Sequence, residues 1–151
     1  MFAKLKLCLA LLAAALLIGC GGGHRDFIDA NGKGLTWESH QGQWLVINYW
    51  AEWCAPCREE IPELNALHAD DNNIRVWGVN FDNPAIDDLK RQMKVFAIEF
   101  PVIQNDPEQQ LAHLVPEALP TTYVFDPQGK LLHTLLGPQT QATIEAVIHG
   151  S

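Results

Sequence analysis

Cys54-Ala55-Pro56-Cys57 is the stretch that most limits what this chain can fold into. The run before it, Trp44-Leu45-Val46-Ile47-Asn48-Tyr49, is apolar and β-prone without alternation, as in a strand buried on both faces. The residues after it take up a helical spacing. The two cysteines therefore sit on a tight turn from strand to helix. The free amides and positive dipole end of that helix stabilise a thiolate on Cys54. Cys57 lies one turn along, close enough to close a disulfide. Pro56 has no N–H and a preset φ, which suits the first turn.

Two bland readings compete with a redox dithiol. A Cys-x-x-Cys is often half of a zinc site, but the other cysteines are Cys8 and Cys20, both in a leader, and the histidines are scattered. A static disulfide this short closes a tiny loop and removes little entropy from the unfolded chain, so stability is a poor reason for it. No metal and no separate cofactor are expected; the redox group is the cysteine pair itself.

The leader begins with Lys4 and Lys6 and continues as an unbroken apolar run from Leu7 to Ile18, short for a membrane span. It ends in Leu17-Ile18-Gly19-Cys20, which resembles the lipobox of bacterial lipoproteins. That resemblance implies cleavage after residue 19, diacylglycerol on the Cys20 sulfur and usually a third acyl chain, enough for stable anchoring. The alternative is a secretory signal with Cys20 as a spare thiol. Residues 20–26 then read as a lipidated cysteine and a Gly-rich tether, and 27–151 as one domain. Gly21 rather than Asp follows Cys20, which in Gram-negative lipoproteins leans toward the outer membrane. Loss of Lys4 and Lys6 takes the formal charge from −8 to about −10. That argues against nucleic acid and against charge-driven binding to anionic lipid.

Along the domain, Phe27–Asp29 and Leu35–Trp37 read as a hairpin with a Gly-rich turn, followed by a single turn over Trp37–Gln41. Strands are expected at Trp44–Tyr49, Ile74–Asn80, Phe100–Ile103, Thr121–Phe125 and Lys130–Leu136. Helices are expected at Ala55–Ala69, with Pro62 kinking it, at Asn83–Phe96, Pro107–Leu114 and Thr140–His149. The order implies an α/β sandwich on a mixed sheet, early strands parallel and the last pair antiparallel.

Trp50-Ala51-Glu52-Trp53-Cys54-Ala55-Pro56-Cys57 resembles the thioredoxin active-site signature, and Leu119-Pro120-Thr121-Thr122 resembles its cis-proline loop. With the N-terminal hairpin, a central strand–helix insertion and the lipobox, the chain is similar to the TlpA/ResA/DsbE group of membrane-tethered thiol–disulfide oxidoreductases. The resemblance implies a thioredoxin fold, a three-layer α/β/α sandwich. It implies Cys54 as nucleophile, Cys57 as resolving cysteine and Pro120 cis beside both sulfurs, with Leu119 and Thr121 facing an extended substrate. Trp53, Ala55 and Pro56 would form the exposed contact surface and Trp50 would pack beneath. Thioredoxin carries a buried Asp where Asn48 stands here. In this group a Glu at the position of Glu60 is the buried carboxylate, which implies a proton relay to the sulfurs; the plain alternative is a solvated surface glutamate. Glu52 and Arg58 place opposite charges near the thiols.

The resemblance further implies a reductase acting on a disulfide-bearing protein, recharged by a membrane thiol donor of the DsbD/CcdA type. Service in cytochrome c maturation or periplasmic thiol maintenance fits, and a monomer is the default. A disulfide oxidase or isomerase uses the same exchange in other directions. A copper- or haem-handling module is a non-enzymatic alternative. It fits less well, because copper-delivering relatives use a wider Cys-x-x-x-Cys with a distant His. A peroxidase would want a lone cysteine in a Thr-x-x-Cys turn, whereas Ala51-Glu52-Trp53 precedes Cys54.

Overall fold

The computed structural model describes residues 26–70, 73–106 and 110–150. The leader, Cys20 and the tether up to residue 25 lie outside them. Among the described residues no helix is long and apolar enough to cross a membrane.

The sheet has seven strands in the order β2-β1-β5-β4-β3-β6-β7. They are β1 (Phe27–Asp29), β2 (Gly34–Leu35), β3 (Trp44–Trp50), β4 (Ile74–Asn80), β5 (Val102–Asn105), β6 (Thr121–Phe125) and β7 (Leu131–Leu136). The helices are α1 (Ala55–Ala69), α2 (Ile86–Phe96) and α3 (Gln141–His149). β3 pairs in parallel with β4 and antiparallel with β6, so it is central, which is why its sequence is apolar apart from the buried Asn48. β4–β5 is parallel and β6–β7 antiparallel, as expected. The N-terminal hairpin is not an appendage: β1 joins the sheet antiparallel to β5.

The period-two alternation of β3 divides two cores. Val46 and Trp50 face α1, α2 and α3, in a core that holds Cys57, Ile61, Leu64, Leu89, Phe96 and Ile144. Leu45, Ile47 and Tyr49 face the other way, against Phe27, Trp77, Leu111 and Phe125. That second face has no long helix among the described residues. It is covered by the 3-10 turns Trp37–His40 and Ala112–Leu114. The thioredoxin sandwich is therefore present, with one outer layer reduced to short turns.

Several expected boundaries move. β5 runs over Val102–Asn105 rather than Phe100–Ile103, and the ends of β3 and β7 shift by one residue. α2 starts at Ile86 rather than Asn83, because Asn83 is left-handed at φ 45° and Ala85 is the extended N-cap. The helix expected over Pro107–Leu114 is a 3-10 turn at Ala112–Leu114, and residues 107–109 lie outside the described set. Trp37 belongs to its 3-10 turn instead of β2, capped by the Thr36 hydroxyl. Thr140 caps α3 from outside, accepting from the Thr143 N–H. Pro62 sits on the exposed side of α1, and the helix continues through it.

Candidate active site

β3 ends at Trp50, and the chain turns at Ala51-Glu52-Trp53 before α1 begins. Two backbone bonds fix that turn: the Cys54 N–H to Ala51 O at 3.1 Å and the Phe81 N–H to Trp50 O at 2.9 Å. Cys54 is the N-cap residue of α1, and its Sγ accepts the Cys57 N–H at 3.2 Å. An N-terminal amide thus points at the Cys54 sulfur, a placement that favours negative charge there. Cys54 and Cys57 form a disulfide, with Cα atoms 5.3 Å apart. Both cysteines are buried, Cys54 3% exposed and Cys57 0%, with Cys57 on the core stripe of the helix.

Trp50 and Trp53 divide as expected. Trp50 is buried against Phe96, while Trp53 is 65% exposed. Trp53 is also fixed: its Nε1–H donates to Asp82 Oδ2 at 2.8 Å, and its ring meets Phe81 edge-on at 6.5 Å. Ala55 is exposed and Pro56 half-buried in the first turn of α1. The two charges flanking the thiols have different partners. Glu52 is held by Arg91, whereas the Arg58 guanidinium lies over the Phe96 ring at 4.2 Å.

The Leu119–Pro120 peptide is cis. Pro120 O accepts the Gly137 N–H at 3.0 Å, and the Thr121 hydroxyl donates to Ala118 O at 2.8 Å. Leu119 is half-buried and Thr121 fully buried, so the Thr121 side chain is not available at the surface. Beyond Phe81, a groove of about 380 Å3 opens on the sheet face away from the helices, walled by Tyr49, Val79, Ile103, Leu111 and Val115.

Glu60 is buried, only 1% exposed, because it lies on the same face of α1 as Cys57, Ile61 and Leu64. The surface reading of this residue is thereby overturned. Asn48 comes beneath it because positions 46, 48 and 50 share one face of β3. Asn48 Nδ2 donates to Glu60 Oε1 at 2.7 Å, and the Gln139 N–H donates to Oε2 at 3.1 Å. Burial pushes the Glu60 carboxyl up to about 7, against the opposing pull of these two donors. A carboxyl there changes protonation near neutral pH, the range in which thiols exchange.

Sequence reasoning missed Asp82, Arg91 and Gln139. Only the Asp88–Arg91 spacing on α2 hinted at one of them. Their partners lie 29, 39 and 79 residues away, and nothing local signals such contacts.

A family profile described as AhpC/TSA family matches residues 24–134. Among curated proteins, the thiol-disulfide oxidoreductase ResA of Bacillus subtilis is 29% identical over 118 residues, covering 77% of this chain and 65% of that protein. The chain thus spans just under two thirds of that relative's length. Among solved structures, a thiol:disulfide interchange protein of Chlorobium tepidum superposes with a TM-score of 0.68 at 25% identity, over 82% of this chain and 89% of that one. A putative thiol:disulfide interchange protein DsbE of Chlorobium tepidum gives 0.66 at 25% identity, over 82% and 86%. With a buried Cys-x-x-Cys disulfide at a helix N-terminus, a cis Leu119–Pro120 peptide and these likenesses, the chain belongs to the AhpC/TSA family of thioredoxin-fold proteins and carries the dithiol motif of the thiol–disulfide oxidoreductases it resembles.

Proposed function

We propose that this chain is a thiol–disulfide oxidoreductase that reduces protein disulfides outside the cytoplasm, held at a membrane by lipid on Cys20. The observation that carries the exchange chemistry is the Cys57 N–H aimed at Cys54 Sγ at the start of α1, with Cys57 buried directly behind. The relatives named ResA and DsbE support the class of reaction.

The Cys54 thiolate attacks a substrate disulfide, forms a mixed disulfide and releases one substrate thiolate. Cys57 then attacks the Cys54 sulfur, closes the Cys54–Cys57 disulfide and releases the second. Two electrons pass from the dithiol to the substrate. Glu60 takes the proton that Cys57 gives up, and the departing thiolates take protons from solvent. Leu119 next to cis-Pro120 presents backbone to an extended substrate segment, and exposed Trp53 gives it apolar surface. A membrane thiol donor of the DsbD/CcdA type returns the pair to the dithiol. Apocytochrome c is one such substrate class; a thiol-dependent periplasmic enzyme is another.

The direction of exchange follows from the reduction potential of Cys54–Cys57, measured in a thiol redox buffer. A value near or below that of thioredoxin, about −270 mV, is expected for a reductase. A value near that of a strong oxidant such as DsbA, about −120 mV, makes the protein a disulfide donor instead. The anchor is tested separately, by metabolic labelling with a fatty acid: Cys20→Ser is expected to lose both label and membrane association.

A further inference from the structure

Glu60 is held by a donor at each oxygen, Asn48 Nδ2 on Oε1 and the Gln139 N–H on Oε2. That arrangement suits the ionised carboxylate, which only accepts. A protonated Glu60 still accepts but gains an O–H that must donate, and neither of its two partners turns an acceptor toward it. The Gln139 group is a backbone N–H and cannot invert. The Asn48 group is a terminal amide with an acceptor on its other branch.

Asn48 carries a second anomaly. Its Oδ1 is buried and has no hydrogen-bond partner. Both of its bonds come from Nδ2, to Glu60 Oε1 and to Thr122 Oγ1 at 3.0 Å. Asn48 and Thr122 face each other across the β3–β6 ladder, and both are fully buried. Half a rotation about the last side-chain bond puts Oδ1 against Glu60 and Thr122 and moves Nδ2 to the place Oδ1 left. In the present orientation Oδ1 has no partner among the described residues, so this orientation does not satisfy the whole amide. Thr122 fits both, because a hydroxyl accepts in one orientation and donates in the other.

We propose that Asn48 is a positioning residue for the proton relay at Glu60: its amide turns over as Glu60 gains a proton and passes that state to Thr122. The inference rests on reading Glu60 as the relay. As Cys57 forms the disulfide, its thiol proton moves to Glu60 Oε1. Asn48 turns, Glu60 O–H donates to Oδ1, and the Thr122 O–H donates to the same oxygen. When the disulfide is re-reduced and Glu60 returns the proton to the Cys57 thiolate, the amide turns back and Nδ2 donates to both. Among the described residues no charged side chain is seen to act on Glu60. The groups that face it are Asn48 from β3 and the Gln139 amide from the loop after β7, with Thr122 of β6 behind Asn48 and Cys57 one turn away on α1. Thr122 is two residues past Pro120, so the protonation state reaches the strand that carries the substrate-facing loop.

The test follows the Asn48 side-chain amide and the Glu60 carboxyl carbon by NMR in the oxidised full chain, from about pH 5 to about pH 9. Both are expected to inflect together, close to neutral pH. A Glu60 inflection with a silent Asn48 amide overturns the inference and leaves the relay standing; no Glu60 inflection removes both. The pH–rate profile of exchange gives the second readout. Asn48→Leu deletes a donor to a charged group, so its midpoint is expected to rise by about one pH unit or more. Thr122→Val is expected to shift it in the same series by less. An unmoved midpoint in folded Asn48→Leu, with the profile abolished by Glu60→Gln, overturns the inference.

Discussion

Arg91 on α2 grips Glu52, two residues ahead of Cys54, with both guanidinium nitrogens, at 2.7 and 3.0 Å. The same guanidinium holds Asp88 at 2.7 Å. The central insertion is thereby tied to the exchange turn. Hydrogen bonding from Arg91 keeps the Glu52 carboxyl below the usual carboxylate range. In Arg91→Ala, Glu52 stays ionised with its partner gone, and an unpaired negative charge near Cys54 disfavours the thiolate. Thiolate absorbance of the reduced protein is expected to titrate at higher pH in Arg91→Ala and to return toward wild type in Arg91→Ala/Glu52→Gln. Both side chains are exposed, so the effect should shrink as salt rises. No change at low salt makes the pair a surface tie only.

Cys57→Ser should arrest exchange at the mixed disulfide, because the sulfur that resolves it is gone. A covalent adduct with substrate is expected on a non-reducing gel, cleared by dithiothreitol. Cys54→Ser should give none. Equal trapping by both variants reverses the roles of the two cysteines.

Glu60 makes stability depend on pH with a definite sign. Its folded value, about 7, lies above the ordinary carboxyl value of 4.5, so the folded protein holds a proton that the unfolded chain has lost. The contribution is fully present below about pH 4.5 and is lost as pH rises toward about 7, a change of roughly 3 kcal/mol. Denaturant unfolding of the oxidised protein at a series of pH values is expected to show that decline in the wild type. Glu60→Gln, which cannot ionise, is expected to lack it. A parallel decline in the variant places its source elsewhere.

Gly78 on β4 is needed for space. A Cβ there would lie 2.9 Å from Phe100 Cε2, 3.1 Å from Val102 Cγ2 and 3.3 Å from Trp50 Nε1. Those three groups form part of the wall behind the exchange turn. Gly78→Ala is expected to cost about 1–3 kcal/mol by overpacking, seen as a lower unfolding midpoint. A variant as stable as wild type means the aromatic rings yield more easily than a close-packed core should.

The fold was legible because its main signals are local. The unbroken apolar run of β3 announces a central strand. Pro56 between the cysteines announces a helix start, and Asp126-Pro127-Gln128-Gly129 announces the β6–β7 turn, with Gly129 at φ 80°. Boundaries were less legible where backbone geometry overrode the residue pattern. Asn83-Pro84 has the composition of a helix start, yet Asn83 turns left-handed and the helix waits until Ile86. The stretch before Leu114 has helical spacing but builds only a 3-10 turn among the described residues.

The candidate site divides along the same line. Cys54, Cys57 and Trp53 belong to one short segment, and their places follow from its strand–turn–helix geometry. Glu60 falls on the Cys57 face through the helical repeat alone. The amino-acid sequence by itself thus determined the dithiol, its helix terminus and the strand beneath it, because these depend on neighbours a few residues apart. Tertiary structure alone decided the rest: Asn48 and Gln139 on Glu60, Asp82 on Trp53, and Arg91 on Glu52. Those pairings arise where the sheet and helices bring distant segments within about 3 Å, and hydrogen bonding of that range leaves no periodic trace in the chain.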